Sequence, residues 1–147
     1  MEEERLFRVY PASASRQSAR RKIIFLLRLS LAAVFFWFGV LKVAGASPAL
    51  DLLKHSFPLL ADSPYLEMLG AGEMAIALGL VIDRLAKHAS LLMMLHLVCT
   101  LTVALVSPSL IFSPSFPVLT MEGEFIAKNI VLIMAGMVIL ASEERQK

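Results

Sequence analysis

Six ionisable side chains interrupt the long apolar runs of this sequence: Arg28, Lys42, Glu67, Glu73, His96 and Lys128. Ionisable groups inside a membrane are costly, so they usually face a bundle interior or a cavity and pair with one another. Glu73 lies in GAGEMAIALGL, residues 70–80, about 13 Å from the end of its predicted helix. His96 is expected at nearly the same depth as Glu73. We therefore predict a buried polar core that contains Arg28, Lys42, Glu73, His96 and Lys128.

Two interpretations of this polar core stay open. In the first, Glu73 is an ionised staple that ties helices together through Arg or Lys. In the second, Glu73 is part of a proton relay or binds a ligand. Arg28 and Lys42 lie near helix ends, so each can also extend its long side chain to water instead.

The sequence carries no motif that identifies a catalytic site. We find no GxSxG elbow, no P-loop and no HExxH zinc signature. His96 and Cys99 are too few ligands for a zinc site, and no second histidine at the depth of His96 is available for haem. Cys99 is the one cysteine, so the chain has no internal disulfide. We expect no metal and no cofactor, although the polar core is compatible with a quinone.

The elements that must position these residues are predicted to be transmembrane helices. Of the 147 residues, 58% are hydrophobic, and the mean hydropathy is +0.74. Runs of about 18 or more apolar residues predict spans, each about 30 Å long. The four predicted helices are residues 23–43, 65–82, 86–106 and 125–141, within a domain of residues 23–142.

Charge distribution predicts the orientation of this bundle. Residues 1–22 form a polar, basic arm with six Lys or Arg residues, residues 143–147 form a short tail, and the turn between the second and third helices contains Arg84 and Lys87. The positive-inside rule places these three segments in the cytosol. The predicted fold is therefore an all-α, up-down-up-down antiparallel four-helix bundle with both termini cytosolic. The expected partner of the arm is the lipid bilayer, not nucleic acid.

Small residues on the first two helices predict close helix packing. Ala71, Ala75 and Gly79 form a row at four-residue spacing, which lets neighbouring backbones approach each other. Gly39 and Gly70 are expected to have the same role.

Two segments between the helices complete the chain: residues 44–64 are predicted to include a short surface helix, and residues 107–124, with three prolines, are predicted to fold back over the bundle.

Several of these motifs together resemble those of the DoxX-like family of small four-helix membrane proteins. The similar stretches are FFWFGVLK, GAGEMAIALGL and FPVLTMEGEFIAKNIVLI, and the last resembles the YkgB-like branch. The chain departs from that branch at Asn129, where an acidic residue is usual. The positions that match the family motifs are Arg28, Gly39, Lys42, Gly70, Glu73, Gly123 and Lys128.

The resemblance implies a protein of the bacterial inner membrane. The YkgB-like branch is linked to resistance against reactive chlorine species, and some family members are associated with quinone-linked or thiol oxidoreductase complexes. The resemblance therefore implies that this chain is a non-catalytic or accessory protein. Such a protein would contribute to oxidative or envelope stress tolerance and would have a membrane redox partner. A quinone- or lipid-binding oxidoreductase subunit and a small transporter or channel are the alternatives. The oligomeric state is not predicted.

Overall fold

The computed structural model describes the backbone of residues 2–48 and 50–144, and the side chains from residue 15 onward except at positions 49, 60, 63 and 144. The charged side chains of residues 1–14 and the tail residues Arg145 and Lys147 lie outside the described residues. The described chain forms eight helical segments: α1 (Glu2–Val43), α2 (Leu50–Ser56), α3 (Pro58–Ala61), α4 (Ser63–Val81), α5 (Ala86–Leu101), α6 (Val103–Val106), α7 (Pro108–Ile111) and α8 (Met121–Glu144).

Four of the helical stretches are long and apolar enough to cross a membrane. They are Ser15–Val43, Pro64–Val81, Ala86–Val106 and Met121–Glu143. Helix α1 packs along α4 and α8, α5 packs along the same two helices, and α4 and α8 therefore lie diagonally opposite each other. Consecutive long helices run antiparallel, since the end of α1 lies beside the start of α4 and the start of α5 beside the end of α4. The predicted all-α four-helix fold is confirmed, while the cytosolic position of the termini stays a prediction.

Two helices begin earlier than the hydropathy predicts. Helix α1 begins at Glu2; residues 12–22 contain no proline or glycine that would end a helix, and the helix also continues through Pro11. Helix α8 begins at Met121, where the backbone N–H of Gly123 donates to the hydroxyl oxygen of Thr120 at 2.9 Å. Thr120 therefore caps the helix, and Glu122 and Glu124 in the first turn interact favourably with the helix dipole.

The connecting segments cover one end of the bundle, which we call the capped end. It is the end at which α1 finishes and α8 begins. The segment after α7 turns back through an isolated bridge between Phe112 and Leu119, as the prolines in this region predict. Leu52, Val103, Ile111 and Ile126 pack into one apolar cluster there. Lys42, near the end of α1, is buried beneath this end.

Helices α1 and α4 make their closest approach at two facing glycines. A Cβ atom added to Gly70 would lie 2.6 Å from the carbonyl oxygen of Gly39, and one added to Gly39 would lie 2.6 Å from the carbonyl oxygen of Gly70. Real Cβ atoms do not come that close to an oxygen, so the crossing requires glycine on both helices. This contact brings Lys42, one turn after Gly39, close to α4.

We expect Gly70→Ala to lower the free energy of unfolding by about 1–3 kcal/mol, because the added methyl group forces α1 and α4 apart. Gly72→Ala is the matched control, since a Cβ atom at Gly72 meets no other atom within 4 Å. Alanine also has the higher helix propensity, so the control should be neutral or slightly stabilising. Unfolding in detergent measures the free energy of unfolding of the Gly70→Ala and Gly72→Ala variants. Equal losses in the two variants would contradict the close contact.

Candidate functional site

The carboxylate of Glu73 accepts hydrogen bonds from two helices. Lys42 Nζ lies 2.9 Å from Oε1 and 2.8 Å from Oε2 of Glu73. His96 Nε2 lies 2.9 Å from Oε1 of Glu73. We call Lys42, Glu73 and His96 the charge cluster. The side chains of Lys42 and Glu73 are only 9% and 5% exposed, so this ion pair is buried in the bundle.

Each member of the charge cluster is positioned by a different long helix. The glycine crossing of α1 and α4 sets the distance between Lys42 and Glu73. On α5, the imidazole of His96 packs edge-on against the buried ring of Phe35, with 5.9 Å between ring centroids. Lys42 does not reach water, because the connecting segments shield the capped end, and its ammonium group turns inward to Glu73.

Arg28 is buried but belongs to a different cluster at the opposite end of the bundle. Its Nε donates to the carbonyl oxygen of Leu80 at 2.7 Å, and its NH2 nitrogen donates to the carbonyl oxygen of Val81 at 3.2 Å. Its NH1 nitrogen pairs with Asp83 at 2.7 Å and lies 3.6 Å from Glu143. Arg28 therefore fastens the end of α4, where the last carbonyl groups of the helix need partners, and it does not contact Glu73.

Lys128 does not lie in the buried polar core, which corrects the sequence prediction. Its side chain is 71% exposed, and its Nζ lies 3.5 Å from a carboxylate oxygen of Glu124, one turn earlier on α8. The next residue, Asn129, points into the bundle instead. Lys128 is exposed, although it lines the cavity described below together with Asn129.

The predicted row of small residues on α4 also needs correction. Ala71 and Ala75 are exposed. Gly79 is buried, and a Cβ atom there would lie 2.9 Å from Cβ of Ala89 on α5. The close contacts of α4 therefore involve Gly70 with α1 and Gly79 with α5. The two contacts lie on different faces of the helix, because α4 stands between two neighbours.

A second polar pair links α5, one turn after His96, to α8, and it was not predicted as part of the site. Asn129 Nδ2 donates to Thr100 Oγ1 at 2.7 Å, which links α8 to α5. Both residues are uncharged, so the prediction of the polar core, which was based on ionisable residues, did not include Asn129. The available signal was a polar amide one position after Lys128, on a helix that is otherwise apolar.

A cavity of about 340 Å³ is bounded by both the charge cluster and the pair of Asn129 and Thr100. Its walls come from α1, α2, α4, α5, α6 and α8, and most are apolar, with Phe38, Leu53 and Leu97 among them. The three members of the charge cluster line it, and so do Thr100 and Asn129. Mostly apolar cavities of roughly 300–1,000 Å³ with a few convergent polar groups are typical of small-molecule binding sites.

The cavity is partly open, and its exposed lining residues show where. Val34 on α1 and Phe125 on α8 both line the cavity and are 37% and 40% exposed. Helices α1 and α8 pack together less extensively than the other neighbouring long helices. The ring of Phe125 meets that of Phe38 edge-on, with 5.5 Å between centroids. The opening therefore lies between α1 and α8, on a side of the bundle that faces lipid.

The arrangement can hold a polar head group and exchange protons with it. Glu73 engages Lys42 Nζ through both of its oxygens and His96 Nε2 through one, while Lys42 has three N–H donors and His96 has a second ring nitrogen. Among the described residues, no group of three or more His, Cys, Asp or Glu side chains is placed to hold a metal ion.

Comparisons of the sequence with protein-family models and curated proteins, and of the fold with solved structures, found no match.

Proposed function

We propose that this integral membrane protein binds a lipid-soluble ring compound of the quinone class in the cavity between its four long helices. The observation that carries the proposal is the charge cluster on the wall of a largely apolar cavity. Lys42 and His96 provide donors for an oxygen of the head group, while Phe38 and Leu97 provide apolar surface for the ring. Such a combination of apolar lining and a few polar groups fixes the orientation of a bound ligand.

The lateral opening supports a ligand that arrives through the bilayer. A compound with an isoprenoid or alkyl tail can leave its tail between α1 and α8 while the ring occupies the cavity. Water-soluble substrates would need to cross the capped end, where Leu52, Val103, Ile111 and Ile126 form a packed cluster. The geometry therefore favours a lipid-soluble ligand over a polar solute that would be transported.

In the cell, we propose an accessory role beside a redox enzyme of the inner membrane. The resemblance to the DoxX-like family supports this part of the proposal, as does the absence of a recognisable catalytic motif in the sequence. In this role the protein would hold or deliver the quinone and contribute to oxidative or envelope stress tolerance. A partner enzyme would carry out the electron transfer.

The direct test is equilibrium binding of decylubiquinone to the purified protein in lipid nanodiscs. Empty nanodiscs measure the quinone that partitions into lipid. We expect saturable binding above that background, with about one quinone per chain for one cavity. Binding that rises only in proportion to the lipid content, as in empty discs, would overturn the proposed function.

A further inference from the structure

The amide group of Asn129 has a fixed orientation. Its Nδ2 donates to Thr100 Oγ1 at 2.7 Å, and Thr100 Oγ1 donates its own proton to the carbonyl oxygen of Leu97 at 2.7 Å. A hydroxyl group has a single proton, so Thr100 has none left to give to Asn129. The amide nitrogen must therefore face Thr100, and the amide oxygen must face away from it.

This orientation leaves the amide oxygen of Asn129 without a hydrogen-bond donor among the described residues. Asn129 is only 4% exposed. Among the described residues, the fully buried side-chain N or O atom that has no hydrogen-bond partner is Ser90 Oγ. The unpartnered oxygen of Asn129 is therefore not fully enclosed by neighbouring atoms. Asn129 lines the cavity, so its amide group lies at the wall of that space. The other side-chain oxygens of the cavity wall, on Glu73 and Thr100, all accept hydrogen bonds.

The two walls of the cavity therefore offer different chemistry. On the α4 side, Lys42 and His96 provide donors around Glu73. On the diagonal α8 side, Asn129 provides an acceptor, and the exposed Lys128 precedes it on the same wall. A ligand that supplies a donor gives this acceptor a hydrogen-bond partner.

We propose that Asn129 makes the cavity selective for the reduced, dihydroxy form of the quinone. This inference rests on the proposed function. A quinol hydroxyl can donate to Asn129 while the other hydroxyl oxygen accepts from Lys42 or His96. The oxidised dicarbonyl ring has acceptors only, so it leaves the amide oxygen unpaired. The second N–H of Asn129 can meet either form and does not discriminate between them.

The test compares decylubiquinol with decylubiquinone, which differ by two hydrogen atoms, in nanodiscs under anaerobic conditions. We expect the wild-type protein to bind decylubiquinol about tenfold more tightly, the difference made by one buried hydrogen bond. In Asn129→Leu, which keeps a similar volume, both ligands lose the contact with the amide N–H, and decylubiquinol also loses its pairing with the amide oxygen. The ratio of the two dissociation constants should fall to about one, since the pairing that distinguishes them is lost.

Thr100 provides a second pair of variants that leaves the amide in place. Thr100→Ser keeps the hydroxyl that orients Asn129, so the preference for decylubiquinol should remain. Thr100→Val removes that hydroxyl, and the amide can then turn, so the preference should decrease. Equal binding of the two ligands by the wild-type protein, or an unchanged preference in Asn129→Leu, would overturn the inference while leaving the proposed function intact. Absence of saturable binding for both ligands would overturn both.

Discussion

Replacing Lys42 by methionine is expected to lower the free energy of unfolding by about 3–5 kcal/mol, the cost of breaking a buried ion pair from one side. Methionine keeps much of the length of the lysine side chain but has no charge and no donor. Both oxygens of Glu73 bond to Lys42, at 2.9 and 2.8 Å, and the carboxylate is 5% exposed. The variant would leave that carboxylate with His96 alone. Unfolding of the purified protein by titration with a denaturing detergent measures the loss.

Lys128→Met is the matched control, because it makes the same change on a lysine that is 71% exposed. Its ion pair with Glu124 lies on the surface of α8, where such pairs contribute little. The control should change the free energy of unfolding by no more than about 0.5 kcal/mol. A similar loss in Lys42→Met and Lys128→Met would contradict the buried ion pair.

Glu73→Gln tests the same pair from the other side. Glutamine keeps the shape of the side chain and removes its charge, so the buried ammonium group of Lys42 loses its counter-ion. The double variant Lys42→Met/Glu73→Gln should lose clearly less stability than the sum of the two single losses, with a coupling of about 1–3 kcal/mol. Equal or higher stability of Glu73→Gln would show that the carboxylate is kept at a structural cost, which would favour a ligand-binding or proton-relay role.

The sequence predicted the cluster around Glu73 better than it predicted which lysine completes it. A carboxylate in a long apolar helix needs partners, and helix rise alone places His96 at a similar depth. The distance along the helix axis allowed either Lys42 or Lys128 to pair with Glu73. The rotation of each helix about its own axis determines which lysine faces Glu73. Hydropathy gives little information on this rotation, because lipid and the bundle interior are both apolar. On α8, for instance, Ile130 and Val131 face outward although both are apolar.

The cavity could not be predicted from the sequence, because it depends on how separate segments meet. The four long helices follow from length and hydropathy. The space between α4 and α8 also depends on two short helices: α2, in a connecting segment, supplies Leu53, and α6, at the end of the third span, supplies Val103. Asn129 contributes to this space through its pairing with Thr100, a residue 29 positions away. No local pattern records either contact.

Leu53→Trp is expected to reduce decylubiquinone affinity by at least about tenfold, the second large effect that the structure predicts. Leu53 lies on α2, lines the cavity and belongs to none of the membrane-crossing helices. The larger indole would occupy space that the proposed ring needs, at a position where the four-helix packing need not change. Saturation binding in nanodiscs measures the affinity, and unfolding in detergent checks that the bundle remains folded.

Leu59→Trp separates a filled cavity from a general effect of tryptophan at the capped end. Leu59 lies on the neighbouring helix α3, is 76% exposed and does not line the cavity. Its variant should bind decylubiquinone like the wild-type protein. If Leu53→Trp is folded and also binds normally, the quinone lies elsewhere on the protein, and the charge cluster would then act as a structural ion pair only. If Leu53→Trp alone loses binding, the ring must occupy the space between Glu73 and Asn129, since filling that space is what distinguishes the two variants.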